Sequence, residues 1–299
     1  MVSSETDDAH IDIDIDIDID ILVGTPRPQL PDAQAEPGFQ QDYPGHRFRA
    51  SADGRFVWHE IAESNSLWHL DRIRRRITGW VESAARLTLY EKGKPFASLL
   101  PFVPGPRGHC VIHAGVVSWR GRGAIIAGQG GSGKTTTALS CVKGDLTFVS
   151  EDSIVLEQRS PDAFVGHGIY NSAFVEPDHL RRFEDSRMAA TAEGNTASEK
   201  HLIMLREIYP ELISDSAPIE FLLLPSVQIG APTSIRRATR PEALKQLGPN
   251  CLMTASRVDK EGFQCLVDLV ATRPAYRLTL GNDLERVPEL VREIMYRDG

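Results

Sequence analysis

The feature that most constrains the fold is a glycine-rich stretch, Gly128 to Thr136, which reads GQGGSGKTT. It matches the Walker A pattern G-x-x-x-x-G-K-[ST] at Gly128, Gly133, Lys134 and Thr135. A short apolar run, 124–127, precedes the stretch, and a segment with helical character, 135–142, follows it. A phosphate-binding loop needs this order, because its backbone N–H groups then surround a phosphate at the positive end of the helix. The sequence therefore predicts a nucleotide-binding chain with an α/β core.

The individual positions of this phosphate loop have expected roles. The glycines allow the backbone to approach a phosphate closely, Lys134 reaches the β- and γ-phosphates, and Thr135 ligates Mg²⁺. The residues predicted to bind nucleotide are Gly128, Gly130, Gly131, Ser132, Gly133, Lys134, Thr135 and Thr136. ATP and Mg²⁺ are therefore the predicted cofactors.

The amino-acid composition limits which classes of binding partner are expected. The net charge is -8 and the isoelectric point is near 5.6. Nucleic-acid binding normally needs a basic face that neutralises phosphates, so no nucleic-acid partner is expected. No apolar run approaches the length of about 18 residues that a membrane-spanning helix needs, and no signal peptide is evident. We expect a cytoplasmic chain without a membrane partner, and the sequence leaves homo-oligomerisation open.

The chain is predicted to have three parts: a tail (1–40), a small α+β subdomain (41–108) and a catalytic domain (109–299). The tail contains the run Ile11 to Ile21, IDIDIDIDIDI. Strict alternation is a strand pattern, but carboxylates at every second position repel one another. The tail is therefore predicted to be disordered and acidic unless the sheet edge of a partner pairs with it. Its deletion is predicted to leave thermal stability nearly unchanged.

The sequence of the subdomain (41–108) contains no motif that indicates catalysis or ligand binding. Apolar residues between Leu67 and Val81 recur at spacings of three and four, which predicts a helix. Residues 88–100 resemble a hairpin whose connection is 91–94. Further along the chain, residues 199–209 also have a helical pattern.

An acidic pair follows the phosphate loop. Residues 146–149 read as a strand, and Ser150, Glu151 and Asp152 follow it directly. Ligands of an open α/β sheet bind at the carboxyl ends of its strands. Glu151 and Asp152 are therefore expected to lie beside the bound phosphates, although a solvated strand end would give the same pattern.

These pieces, in this order, resemble the HPr kinase/phosphorylase family. That family has a histidine-bearing strand, here VIHAGVV with His113, then a phosphate loop and then a pair of acids. The resemblance covers roughly 109–299, is strongest through residue 158, and is closer to the family's divergent kinase-like members. It implies a phosphate-loop kinase core of the HPr kinase / PEP carboxykinase type.

The resemblance also implies roles for individual residues. The expected catalytic residues are Glu151, Asp152, Lys134 and His113, and the expected metal ligands are Thr135 and Asp152. One acid must take the hydroxyl proton while Mg²⁺ neutralises developing charge, so Glu151 is assigned as base and Asp152 to the metal. Glu151 stands where the family has Asp. Two further interpretations stay open: His113 lines the site or is a core histidine, and Lys200 clamps a phosphate or is a surface lysine.

The resulting prediction is an ATP- and Mg²⁺-dependent kinase that transfers the γ-phosphate to a hydroxyl, a serine of a protein or peptide. The alternatives are a nucleotide-binding module without transfer and a kinase for a small metabolite. Gly166 to Asn171 lie at a position comparable to the glycine-rich stretch associated with the family's phosphorylase activity, but they match it poorly. Kinase activity without phosphorylase activity is therefore favoured.

Overall fold

The computed structural model describes residues 18–28, 39–103, 108–183, 185–194, 200–252 and 260–297. The strands are β1 (Asp18–Val23), β2 (Phe39–Tyr43), β3 (His46–Ala50), β4 (Phe56–Ile61), β5 (Ser66–Asp71), β6 (Arg76–Val81), β7 (His109–Ile112), β8 (Gly115–Trp119), β9 (Arg122–Ile126), β10 (Thr147–Ser150), β11 (Ile154–Ser160), β12 (Ala163–Gly168), β13 (Ser172–Val175), β14 (His201–Met204), β15 (Ser216–Val227), β16 (Ser234–Ala238) and β17 (Ala275–Leu280). The α-helices are α1 (Leu89–Gly93), α2 (Lys134–Lys143), α3 (Pro177–Arg182), α4 (Ser186–Thr191), α5 (Leu205–Ile208), α6 (Arg240–Leu252), α7 (Lys260–Thr272) and α8 (Arg286–Arg297).

The main sheet is organised around the long strand β15. Its second half lies between β9 and β17 and is parallel to both, whereas its first half pairs antiparallel with β12. The sheet continues from β9 through β8 to β10, and from β12 through β11 to β7. The carboxyl ends of the parallel strands therefore meet at one edge, and the phosphate loop leaves β9 at that edge.

Both faces of this sheet are covered by helices. Ile126 and Leu223 pack into a core shared with α2 and α8, whereas Ile125 and Leu222 pack into a second core shared with α6 and α7. Neighbouring residues of a strand point to opposite faces, which explains why these central strands are apolar without a break. The predicted α/β class is confirmed by this layered arrangement.

The N-terminal part forms a separate six-stranded sheet in the order β1-β6-β5-β4-β3-β2. The helix predicted between Leu67 and Val81 is wrong: this segment is the antiparallel pair β5 and β6, in which Leu70 faces Ile77. The Asp71 carboxylate accepts hydrogen bonds from the backbone N–H groups of Ile73 and Arg74, which stabilises the turn. Two short strands around a turn can imitate a helical spacing, and cross-strand pairing decided the outcome.

Two other local predictions are also wrong. The segment predicted as a hairpin, 88–100, contains α1 instead, because Thr88 and Glu91 form a reciprocal capping box at its start. The segment 199–209, predicted to be one helix, contains β14 followed by the single turn α5. Pairing of β14 with β13 overrides the helical pattern in its first half. Glu199 lies outside the described residues.

The end of the predicted tail is ordered. Strand β1 pairs in parallel with β6, and Arg76 binds the carboxylate of Asp20. Just beyond the strand, the Trp80 indole donates a hydrogen bond to the carbonyl of Thr25 at 2.8 Å. The prediction of disorder therefore fails for residues 18–28, because β6 offers the alternating segment a sheet edge. Residues 1–17 and 29–38 lie outside the described residues, and the boundaries of the three predicted parts stay predictions.

This strand changes the expectation for a truncation. A variant that begins at residue 29 should melt at a lower temperature than one that begins at residue 18, because the buried Trp80 loses its hydrogen bond and β6 becomes an edge. A loss of about 1 to 2 kcal/mol corresponds to about 2 to 8 °C. Calorimetry of the two variants measures the difference. Equal melting temperatures would show that β1 adds nothing to the fold.

Candidate active site

The phosphate loop, residues 127–133, connects β9 to α2 as predicted. Gly131 and Gly133 have φ angles of 76° and 100°, in the left-handed region that favours glycine. At Gly133 an added Cβ would also lie 2.3 Å from Cδ1 of Leu280. The loop conformation therefore depends on glycine at both positions.

Lys134 begins α2 and lies against the loop that precedes it. Its side chain is buried, and Nζ donates a hydrogen bond to the carbonyl oxygen of Gly128 at 2.9 Å. Burial lowers the pKa of Lys134, against the opposing influence of Asp152 and Glu151. The ammonium thus lies at the phosphate loop and within the field of the acidic pair.

Thr135 is in direct contact with the first acid. Its hydroxyl donates to Oε2 of Glu151 at 2.6 Å, and Glu151 is buried directly after β10. Helix α2 follows β9, whereas Glu151 follows β10, and β8 lies between these two strands in the sheet. The contact therefore joins the start of α2 to the end of β10. It brings a hydroxyl and a carboxylate, both hard oxygen donors, to one point.

Asp152 interacts with the predicted histidine. His113 follows β7, and its Nδ1 lies 3.0 Å from Oδ1 of Asp152. The Asp152 side chain is 20% exposed and that of His113 is 39% exposed, so both are accessible from one cavity. Although burial opposes ionisation, the hydrogen bond from His113 and the charge of Lys94 hold the pKa of Asp152 well below its usual range. Asp152 is therefore ionised at neutral pH.

Lys94 is a site residue that the sequence interpretation missed. It follows α1 in the N-terminal part, and its Nζ lies 2.9 Å from Oε1 of Glu151 and 2.7 Å from Oδ2 of Asp152. Burial lowers the pKa of Lys94, but the two carboxylates raise it by more, so the net direction is upward. A lysine in the stretch EKGKP gives no sequence signal, because only the packing of the N-terminal part against the core brings it here.

A cavity of about 1030 Å³ opens in front of these residues. Its walls come from both the N-terminal part, with Tyr90 and Lys92, and the core, with His113, Phe174 and Lys200. Lys200 is exposed, and its Nζ lies 3.8 Å from Oε1 of Glu176, so it lines the cavity without touching the acidic pair. The cavity is large enough for a nucleotide phosphate tail and an acceptor group.

The donor groups suit ATP and Mg²⁺. Within the described ranges, no group of three or more His, Cys, Asp and Glu side chains could hold a metal ion by itself. A threonine hydroxyl with one or two carboxylates is the partial ligand set that Mg²⁺ takes when phosphate oxygens and water supply the rest. Among the described residues the Ser132 hydroxyl is buried without a hydrogen-bond partner, which leaves a donor inside the loop for a phosphate oxygen.

The segment 166–171, which matches the family's glycine-rich stretch poorly, lies beside the chain around Lys94. Gly166 to Gly168 end β12, and Tyr170 donates a hydrogen bond to the carbonyl of Pro95 at 2.5 Å. This segment thus supports the chain next to Lys94.

In the part of the chain that the structure covers, no helix is long and apolar enough to cross a membrane.

Comparisons with known proteins agree with the resemblance seen in the sequence. No protein-family model matches the chain. HPr kinase/phosphorylases of Bacillus mycoides (strain KBAB4), Bacillus cereus (strain G9842) and Bacillus cytotoxicus are each 36% identical to it over 83 residues. The match covers 28% of this chain and 23% of those proteins, so the chain spans under a quarter of their length. The predicted similarity to HPr kinases is confirmed over that stretch.

A solved structure was also matched, that of the Hpr(Ser) kinase/phosphatase from Coxiella burnetii. The match covers 63% of this chain and 99% of that chain, with 12% sequence identity and a TM-score of 0.35.

Proposed function

We propose that this chain, which is similar to HPr kinase/phosphorylases over 83 residues, is an ATP- and Mg²⁺-dependent kinase acting on a hydroxyl group. The observation that carries the proposal is the contact between Thr135 and Glu151 at 2.6 Å. It joins the phosphate loop to the acidic pair at the edge of the sheet where α/β proteins bind ligands. The same cavity contains a second acid, Asp152, bonded to a histidine.

The two acids occupy different places, and this favours a division of roles opposite to the one assigned from sequence. A Mg²⁺ ion bound by the Thr135 hydroxyl would lie next to Glu151, so we assign Glu151 as the metal partner. Asp152 lies on the cavity side and pairs with His113, so we assign this pair as the acceptor of the hydroxyl proton. The ion, when bound, neutralises charge that develops on the phosphoryl oxygens.

The proposed transfer forms a bond between the acceptor oxygen and the γ-phosphorus, breaks the bond from that phosphorus to ADP, and moves the hydroxyl proton to the Asp152–His113 pair. Lys134 and the loop N–H groups hold the β- and γ-phosphates in line with the acceptor. Serine of a protein or peptide is the proposed acceptor, in line with the family resemblance, and we place the activity in the cytoplasm. Kinase activity without phosphorylase activity remains part of the proposal.

One observation favours a second candidate, a nucleotide-binding module without transfer. The ammonium of Lys94 forms an ion pair with both acids, and a permanently paired acid would not accept a proton. The two candidates are separated by titrating ATP with and without Mg²⁺ and measuring release of inorganic phosphate from the same samples. We expect tighter binding with Mg²⁺ and slow phosphate release above the blank. Tight binding with no release and no labelled acceptor would favour the binding module.

A further inference from the structure

A single buried cation bridges the acidic pair. The Lys94 side chain is 3% exposed, and its ammonium contacts one oxygen of Glu151 and one of Asp152. The remaining oxygens contact Thr135 and His113. All four carboxylate oxygens of the pair therefore have a partner in the folded chain.

The segment that carries Lys94 is anchored to the N-terminal sheet. Helix α1 contains Glu91, whose buried carboxylate accepts hydrogen bonds from the side chains of Ser64, Ser66, Trp68 and Thr88 and from the backbone N–H of Thr88. A buried carboxylate with this many donors holds its helix in one place. The backbone of Lys94, which directly follows this helix, is fixed by the same network.

The same segment is also anchored to the core. The hydroxyl of Ser172 donates to the carbonyl of Gly93 at 2.6 Å, and Tyr170 bonds the carbonyl of Pro95. An added Cβ at Gly93 would lie 2.5 Å from Cδ1 of Leu202, so the backbone is packed tightly against the core. Lys94 is thus held between the two parts of the chain, with its charge directed at the acids.

The position of Lys94 conflicts with a divalent ion at Glu151. A Mg²⁺ ion bound by the Thr135 hydroxyl and Oε2 of Glu151 would lie close to the ammonium, which contacts Oε1 of the same carboxylate. Two cations a few ångströms apart repel strongly where water is excluded. We propose that Lys94 and Mg²⁺ compete for Glu151 and Asp152, so that the N-terminal part of the chain sets the divalent-cation affinity of the site through Lys94. This inference rests on the proposed function, since it assigns Mg²⁺ to this site.

Through this competition Lys94 controls whether a divalent ion binds to the two acids. Without nucleotide, the ammonium offsets one of the two negative charges and disfavours the binding of a divalent ion. The phosphates of an incoming nucleotide offer the ammonium a new anionic partner, and the acids become available to the ion that accompanies them. Metal binding is therefore coupled to nucleotide binding.

The test measures binding of Mn²⁺ to the full chain without nucleotide, by electron paramagnetic resonance of the free ion. Wild type is compared with Lys94→Met and with Lys245→Met, a control that removes an exposed lysine of α6, which does not line the cavity. We expect Lys94→Met to bind Mn²⁺ about tenfold more tightly or better than wild type, and Lys245→Met to match wild type. Equal affinity in all three proteins, or an equal gain in both variants, would overturn the proposal.

Removal of Lys94 leaves the buried carboxylate of Glu151 and the half-buried carboxylate of Asp152 without their cation, so the single variant can fail to fold. The double variant Lys94→Met/Asp152→Asn removes one charge of each sign and keeps the contact between Thr135 and Glu151. It should bind Mn²⁺ more tightly than Asp152→Asn alone, and equal binding would overturn the proposal. Titration of wild type with Mg-ATP is a separate readout: absence of binding there contradicts the proposed function, whereas the Mn²⁺ comparison concerns Lys94 alone.

Discussion

Replacement of Asp152 by asparagine is expected to slow phosphoryl transfer by about 10²- to 10⁴-fold, which is the usual contribution of a positioned base. The amide preserves the shape of the side chain but cannot accept the acceptor's proton, and it also breaks the ion pair with Lys94. Because the variant keeps the contact between Thr135 and Glu151, Mg-ATP should still bind. Nucleotide titration and the rate of phosphate release, measured on the same preparation, give the two quantities.

Glu151→Gln is the matched control, since it makes the same chemical change in the neighbouring acid. This variant should lose the Mg²⁺ dependence of nucleotide binding and should also transfer phosphate more slowly. The reason is that Glu151 accepts a hydrogen bond from the Thr135 hydroxyl, the other proposed metal ligand. The two variants should therefore fail differently. If Glu151→Gln loses only rate and Asp152→Asn loses the Mg²⁺ dependence, the division assigned from sequence is right and the one argued from the structure is wrong.

Replacement of Lys134 by alanine is expected to weaken Mg-ATP binding and to lower turnover by about 10²- to 10³-fold, the effect of losing one preorganised group that stabilises transition-state charge. The reason is that Lys134 places a buried ammonium at the phosphate loop, 2.9 Å from the carbonyl of Gly128. Circular dichroism should show a folded protein, since the rest of α2 is unaffected.

The control for this variant is Lys143→Ala, at the other end of α2. Lys143 is exposed and contacts the carbonyl of Phe183, away from the loop. It should keep the nucleotide affinity of wild type. A folded Lys134→Ala protein with unchanged binding and turnover would show that the loop does not act on the phosphates.

Features set by local chain geometry are the ones that the sequence predicts well. The phosphate loop could be predicted because glycines at left-handed positions, a lysine and a threonine follow one another between a strand and a helix. Glu151 and Asp152 could be placed at the loop because they directly follow a strand of the same sheet. For His113 the family resemblance is the only indication, and the structure places its Nδ1 3.0 Å from Oδ1 of Asp152.

The parts that the sequence missed depend on contacts between distant segments. The spacing of Leu67, Leu70 and Ile77 fits both a helix and two paired strands, and pairing between β5 and β6 selected the strands. The order of β1 requires the edge of β6. Lys94 reaches Glu151 across 57 positions of the chain, and no pattern around it indicates that contact.

The central claim, that this site transfers a γ-phosphate, is tested most directly by following the label of two ATP preparations. One carries radiolabel in the γ-phosphate and the other in the α-phosphate, and each is incubated with wild type, Mg²⁺ and serine-containing peptides. We predict that γ-label appears in a peptide or as inorganic phosphate and that α-label stays in the nucleotide. Asp152→Asn should transfer the γ-label about 10²- to 10⁴-fold more slowly than wild type. Intact ATP recovered from a wild-type protein that binds it tightly, or α-label in a peptide, would contradict the proposed transfer.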